Sequence, residues 1–193
     1  MSNVPESNPH SMPHSVPADT KDWTWVLERI CPACAFDAET FPPQSVASAV
    51  RSQAVAWSEL LVHPLVHERP APHVWSALEY GCHVRDVFVL YERRLQLMLT
   101  QQHPTFANWD QDETAVSERY DLQDPLVVIR ELSAAAAGLA DAFESVRDDQ
   151  WNRTGVRSDG AVFSISSFAQ YMIHDPLHHL YDVQKGYRQL TGE

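Results

Sequence analysis

Residues 75–100 read WSALEYGCHVRDVFVLYERRLQLMLT, a stretch rich in Leu, Val, Arg and Met that carries Ser76 and Glu79 in its first turns and contains no proline. Its composition favours helix, and Trp75, Leu78, Glu79, His83, Val87 and Leu90 fall on one helical stripe. His83 therefore points the way the apolar residues point, toward a core. Upstream, Pro64 and the Arg69-Pro70-Ala71-Pro72 stretch break the pattern. Before the break, Val46, Val50, Ala54, Trp57 and Leu61 recur at spacings of three and four, predicting a helix from Pro43 to Val62 that starts after Phe41-Pro42. Downstream, His103–Leu122 is polar and acidic and reads as a long loop holding a short helical turn. Asp124-Pro125 then supplies an N-cap and a proline at the first helical position, and Val128, Leu132, Ala135, Leu139, Ala142, Phe143 and Val146 continue at helical spacing. Ser158-Asp159-Gly160 reads as a tight turn between two short extended pieces, and a last helix spans Ser164 to Leu190. Four helices without strand–helix alternation predict an all-α fold, a four-helix bundle with a long crossover loop between helices two and three.

The remaining sequence narrows the class. The 193 residues are 44% apolar and 21% charged, ordinary globular usage that fits neither wholesale disorder nor a membrane protein. Residues 1–20 hold four prolines and four serines and are expected to be a disordered tail, leaving 21–193 as a single helical-bundle domain. No apolar run reaches about 18 residues, and the first residues lack a signal-peptide pattern, so neither export nor membrane spanning is expected. Fourteen basic residues against 26 acidic ones give a formal net charge of -12, which argues against nucleic acid as a partner and leaves a small-molecule substrate as the expectation. Three cysteines, an odd number, point to a reducing compartment, taken as the cytoplasm.

Bundles build ligand sites from polar side chains on facing helices, so the inward histidines matter most. In His174-Asp175-Pro176-Leu177-His178-His179, His174 and His178 stand four apart and share a face, with Tyr171 and Tyr181 on the same stripe. The pair reads either as half of a metal site or as a packed or solvated pair. With His83 it would make three inward imidazoles from two helices, the donor set of an open, catalytic divalent ion, zinc first with nickel and iron as alternatives. His179, rotated by about 100° from His178, reads as a neighbour and not a ligand. Pro176 should kink the last helix between the two histidines. Glu79, one turn before His83, and Asp175, beside His174, are the candidate catalytic carboxylates, with a helix-surface charge as the alternative for Asp175. Asp86 reads as structural.

The Trp75-x-x-x-Glu79-x-x-x-His83 helix, the loop and the closing His174-x-x-x-His178 helix resemble the DinB superfamily of bundle metalloproteins over residues 40–190. The family includes bacillithiol- and mycothiol-dependent S-transferases and a mycothiol-dependent maleylpyruvate isomerase. The resemblance implies a divalent metal held by His83, His174 and His178, a low-molecular-weight thiol as co-substrate, and transfer to, or hydrolysis of, a small electrophile. The isomerase branch carries glutamate where this chain has His174, which favours the transferase-like branch. A non-catalytic binding or stress-response protein clamped by a structural metal is the alternative, and a homodimer is expected from the way such bundles pair.

Cys31-Pro32-Ala33-Cys34 brings two sulfurs together and reads as half a zinc site, with His63 and His67 as the other half, as a redox dithiol, or as a reduced pair packed with Trp23, Trp25 and Phe36. Cys82 reads as core. The acidic stretch Asn108–Glu113 and the Arg157-Ser158-Asp159 turn are expected to line the entrance to the metal site.

Overall fold

The computed structural model describes Val16 and residues 22–193. The expectation for the first twenty residues thus falls, Val16 apart, outside the described residues. Four long helices form the bundle: α1 (Val46–Leu61), α2 (Ala77–Thr100), α4 (Pro125–Glu144) and α5 (Ile165–Thr191), with a short α3 (Gln111–Ser117) in the crossover. Each begins where local chemistry permits. Pro43 opens a single 3-10 turn leading into α1. Ser76 and Glu79 exchange hydrogen bonds across the first turn of α2, satisfying two orphan amides reciprocally. Asp124 Oδ1 accepts the Leu126 amide at 2.8 Å at the start of α4, and α5 ends on Gly192, whose φ of 78° only glycine adopts freely.

α1 and α2 each pack against both α4 and α5, which places α4 and α5 at opposite corners of the bundle. The core follows the expected stripes: Val46, Val50, Trp57 and Leu61 from α1, Leu78, Val84, Phe88, Leu95 and Met98 from α2, Val128, Leu132 and Leu139 from α4, and Phe168, Met172 and Ile173 from α5. α5 runs through Pro176, which donates no amide to the Met172 carbonyl. Beside it, the indole of buried Trp57 donates to the Pro176 carbonyl at 3.3 Å, tying α1 to the middle of α5.

The all-α expectation needs one addition. Three short strands make a small sheet in the order β1-β2-β3: β1 (Thr105–Phe106) pairs parallel to β2 (Thr154–Arg157), and β3 (Val162–Ser164) antiparallel to β2 around Gly160 at φ 96°. The hairpin was legible. β1 was not, because two residues in a polar loop carry no alternation. This sheet fastens the crossover loop to the start of α5, and Ser158 Oγ accepts the Asn108 amide at 2.8 Å. Among the described residues, no helix is long and apolar enough to cross a membrane.

Candidate metal centre

A cavity of about 500 Å³ opens between α2, α5, the crossover loop and the residues preceding α1. As the sequence led one to expect, Asn108–Asp112 and the Arg157 and Asp159 turn line it. At and behind its floor the donor side chains fall into two groups, and Cys31 and Cys34 do not themselves line it. His83, Asp175 and His179 each offer one ligand atom within 4.8 Å of the others, and so, separately, do Cys31, Cys34, His174 and His178.

The three histidines expected to share one ion therefore part company. His174 and His178 lie one helical residue, about 100°, away from Asp175 and His179. α2 approaches α5 along the 175/179 stripe, so His83 meets Asp175 and His179, and the N-terminal segment covers the 174/178 stripe. His179, read from sequence as a bystander, stands in the His83 group. Its signal was present, since Asp175 and His179 are also four apart, but the phase of a neighbouring helix is not written in local spacing.

In the first group, His83 is fully buried and its Nε2 lies 3.3 Å from Asp175. Trp109 stacks on the His83 ring at 5.3 Å with the planes 8° apart, and Trp109 is itself fixed by its indole donating to Thr114 Oγ1. His179 turns Nδ1 to Asp182 Oδ2 at 3.3 Å and Nε2 to Asp175 Oδ2 at 3.8 Å. A carboxylate behind an imidazole in this way fixes ring orientation and raises ligand basicity. Burial alone would raise the Asp175 carboxyl, but the His83 and His179 imidazoles outweigh it and bring it down to about 2. Asp175 is thus an anion at neutral pH, and its Oδ1, 3.3 Å from His83 Nε2, accepts no hydrogen bond among the described residues.

In the second group, Cys31 Sγ is 3.5 Å from His178 Nδ1, while His178 Nε2 lies 3.6 Å from Asp182. Burial, then the neighbouring His178, push His174 down to about 4, so it is neutral at physiological pH. Burial likewise pushes the Cys34 thiol up to about 11. All three cysteines are free. Trp23 lies over His174 and His178, with ring centroids 5.7 and 5.1 Å away.

Glu79 is elsewhere. Its carboxylate accepts the Ser76 amide at 2.8 Å and Arg69 Nε at 2.9 Å, and pairs again through Arg69 Nη2, so both oxygens are committed to the start of α2 and none lines the cavity. His63 Nδ1 accepts the Leu65 amide and its ring lies on Tyr187, and His67 is exposed, so neither joins Cys31 and Cys34. Asp86 is held by Arg85 and receives the Tyr120 hydroxyl, the structural role read from sequence.

One feature of the cavity carried no sequence signal. Arg94 is 5% exposed, lines the cavity, donates to the Ala107 carbonyl at 2.6 Å and lies against the Tyr91 and Phe106 rings. No carboxylate pairs with it among the described residues, and burial lowers its pKa. Arg157, by contrast, is paired with Asp159 at 2.7 Å and donates to Tyr171.

Imidazole and carboxylate donors from two facing helices, converging at the floor of a cavity, define this protein as a helical bundle with a candidate metal centre between its helices. Residues 46–183 match the family model of the DinB superfamily, and the chain belongs to that superfamily. Its fold is similar to that of YfiT from Bacillus subtilis, described as a probable metal-dependent hydrolase with an unusual four-helix bundle topology. That match has a TM-score of 0.70 at 14% identity and covers 77% of this chain and 87% of YfiT. Among curated protein sequences none matches this chain.

Proposed function

We propose that the protein is a divalent-metal-dependent enzyme, a hydrolase or a transferase using a small thiol in place of water, that acts on a small anionic substrate at His83, Asp175 and His179. The observation that carries this reading is the convergence of those three donors on the cavity. They fit a metal. Asp175 is ionised, its Oδ1 accepts no hydrogen bond among the described residues although it faces His83 Nε2 at 3.3 Å, and Asp182 steers the His179 ring. One carboxylate and two neutral imidazoles leave a dication with net positive charge and open coordination positions, as catalytic sites require. A divalent ion held there would lower the pKa of a bound water or thiol and so supply a nucleophile at neutral pH. Zinc, nickel and iron all accept such donors.

The chain's own residues do the rest. Trp109 walls off one side of His83 and excludes water from it. Arg94, a buried cation that pairs with no carboxylate among the described residues, offers its charge to an anionic group of the substrate. Arg157, already paired, shapes the opposite wall beside Tyr171. The description of YfiT as a probable metal-dependent hydrolase supports the hydrolytic arm, and free thiols fit a reducing, cytoplasmic setting.

The test is turnover by tag-free protein loaded in turn with zinc, nickel and iron(II), on a panel of small anionic esters and amides, and on electrophiles with added thiols. Activity should require metal, fall at least about 100-fold in His83→Ala and Asp175→Ala, and survive in Glu79→Gln. Equal turnover in wild type and Asp175→Ala, or none from the loaded wild type across the panel, contradicts the proposal.

A further inference from the structure

We propose that Cys31, Cys34, His174 and His178 hold a second ion, a zinc in a closed four-ligand site that pins the N-terminal segment to α5. This inference does not rest on a metal at His83.

The spacing fits first. Zinc–sulfur and zinc–nitrogen bonds of about 2.3 and 2.05 Å at a tetrahedral angle put sulfur and nitrogen about 3.6 Å apart. Cys31 Sγ and His178 Nδ1 are 3.5 Å apart, and all four donor atoms lie within 4.8 Å of one another. The backbone around the cysteines is turned for this purpose. The Ala35 amide donates to the Cys31 carbonyl at 2.9 Å and the Cys31 amide to the Phe36 carbonyl at 2.8 Å. The chain reverses through Ala35 at φ 59°, a left-handed conformation unusual for a residue with a Cβ. The turn closed by the Ala35 amide sets Cys34 beside Cys31, and the reversal at Ala35 carries Phe36 back to the Cys31 amide.

The unsatisfied groups point the same way. His174 is 4% exposed and its Nε2 has no hydrogen-bond partner among the described residues. A buried polar atom left so is destabilising unless something absent from the protein chain satisfies it. His178 presents Nδ1 to the thiol while Asp182 stands behind its Nε2, and the same Asp182 stands behind His179. One carboxylate thus orients a ligand in each site. Charge favours zinc as well: binding releases a proton from each thiol, and two thiolates cancel the dication, so the site is neutral under Trp23 and beside buried Cys31. With four protein donors no position stays open, which makes this centre structural. What it secures is a cavity wall, because Asp22 and Trp23 line the cavity, and besides this clip the segment is tied to α5 by Gln170 donating to the Ala38 and Phe41 carbonyls.

The experiment is zinc reconstitution of the reduced, tag-free full chain, followed by elemental analysis and zinc X-ray absorption. Sulfur scattering at about 2.3 Å is expected in wild type, retained in His83→Ala, and lost with one equivalent of zinc in Cys34→Ser. Cys34→His keeps four donors and should keep the ion, which covers the case in which Cys34→Ser does not fold. One sulfur-ligated zinc per chain would support this site and count against the one at His83. Zinc bound without sulfur, no zinc at all, or recovery of Cys31 and Cys34 as a disulfide in the presence of zinc overturns the proposal.

Discussion

Arg94→Met separates folding from function at one buried position. The substitution removes a charge-assisted hydrogen bond to Ala107 at 2.6 Å, costing about 1.5–3 kcal/mol, together with cation–π contacts to Tyr91 and Phe106 of roughly 0.5–2 kcal/mol. Against this, it removes a cation held 5% exposed without a carboxylate partner among the described residues, relieving a desolvation penalty of several kcal/mol. The unbranched Met chain follows the path of the arginine stem and keeps its packing. The terms offset, and stability measured by urea denaturation should stay within about 1 kcal/mol of wild type. Anion binding should weaken. Phosphate, sulfate and small dicarboxylates, followed by quenching of the cavity tryptophans Trp23 and Trp109, should bind about 10- to 100-fold more weakly, the equivalent of one lost charged hydrogen bond. Destabilisation beyond about 3 kcal/mol would show that Arg94 is a structural cation, and unchanged affinity, or no binding by wild type, would show that it does not receive the substrate.

Two further substitutions probe how the site is positioned. Glu79→Gln breaks the Arg69 pair, whose side chains are 23% and 4% exposed, but keeps an acceptor for the Ser76 amide; it should cost about 2–3 kcal/mol in urea denaturation while leaving metal content unchanged. Loss of metal would return Glu79 to the site. Gly81 is where α2 meets α1, and a Cβ there would lie 2.7 Å from Leu61 Cδ2. Gly81→Ala alone should therefore destabilise by about 1–2 kcal/mol, whereas in a Leu61→Ala background it should stabilise by about 1 kcal/mol through helix propensity, and a cycle without coupling would refute the close approach.

Local chemistry made the helices legible. Proline and aspartate mark the start of α4, Ser76 and Glu79 the start of α2, and the apolar stripes of α1, α2 and α4 are the buried ones. The hairpin around Gly160 declared itself through Ser-Asp-Gly. What sequence could not convey was the phase between helices. His174/His178 and Asp175/His179 are equivalent by spacing, and only the approach of α2 selects the second pair for His83. The partners of Cys31 and Cys34 were hidden by distance along the chain: His178 is 147 residues from Cys31, whereas His63 and His67 were near in sequence but lie elsewhere in space. Arg94 was invisible because an arginine in a helix is ordinarily a solvated one, and its burial without an ion pair among the described residues is a property of the assembled cavity.

His83, Asp175 and His179 are proposed to hold one divalent ion facing the cavity. Anomalous diffraction from crystals of the tag-free protein soaked in zinc decides whether they do. A peak is expected about 2.0–2.2 Å from a nitrogen of His83, a nitrogen of His179 and an oxygen of Asp175, absent in His83→Ala crystals. A wild-type map with no peak among these three residues, or one that persists unchanged without His83, would contradict that proposal.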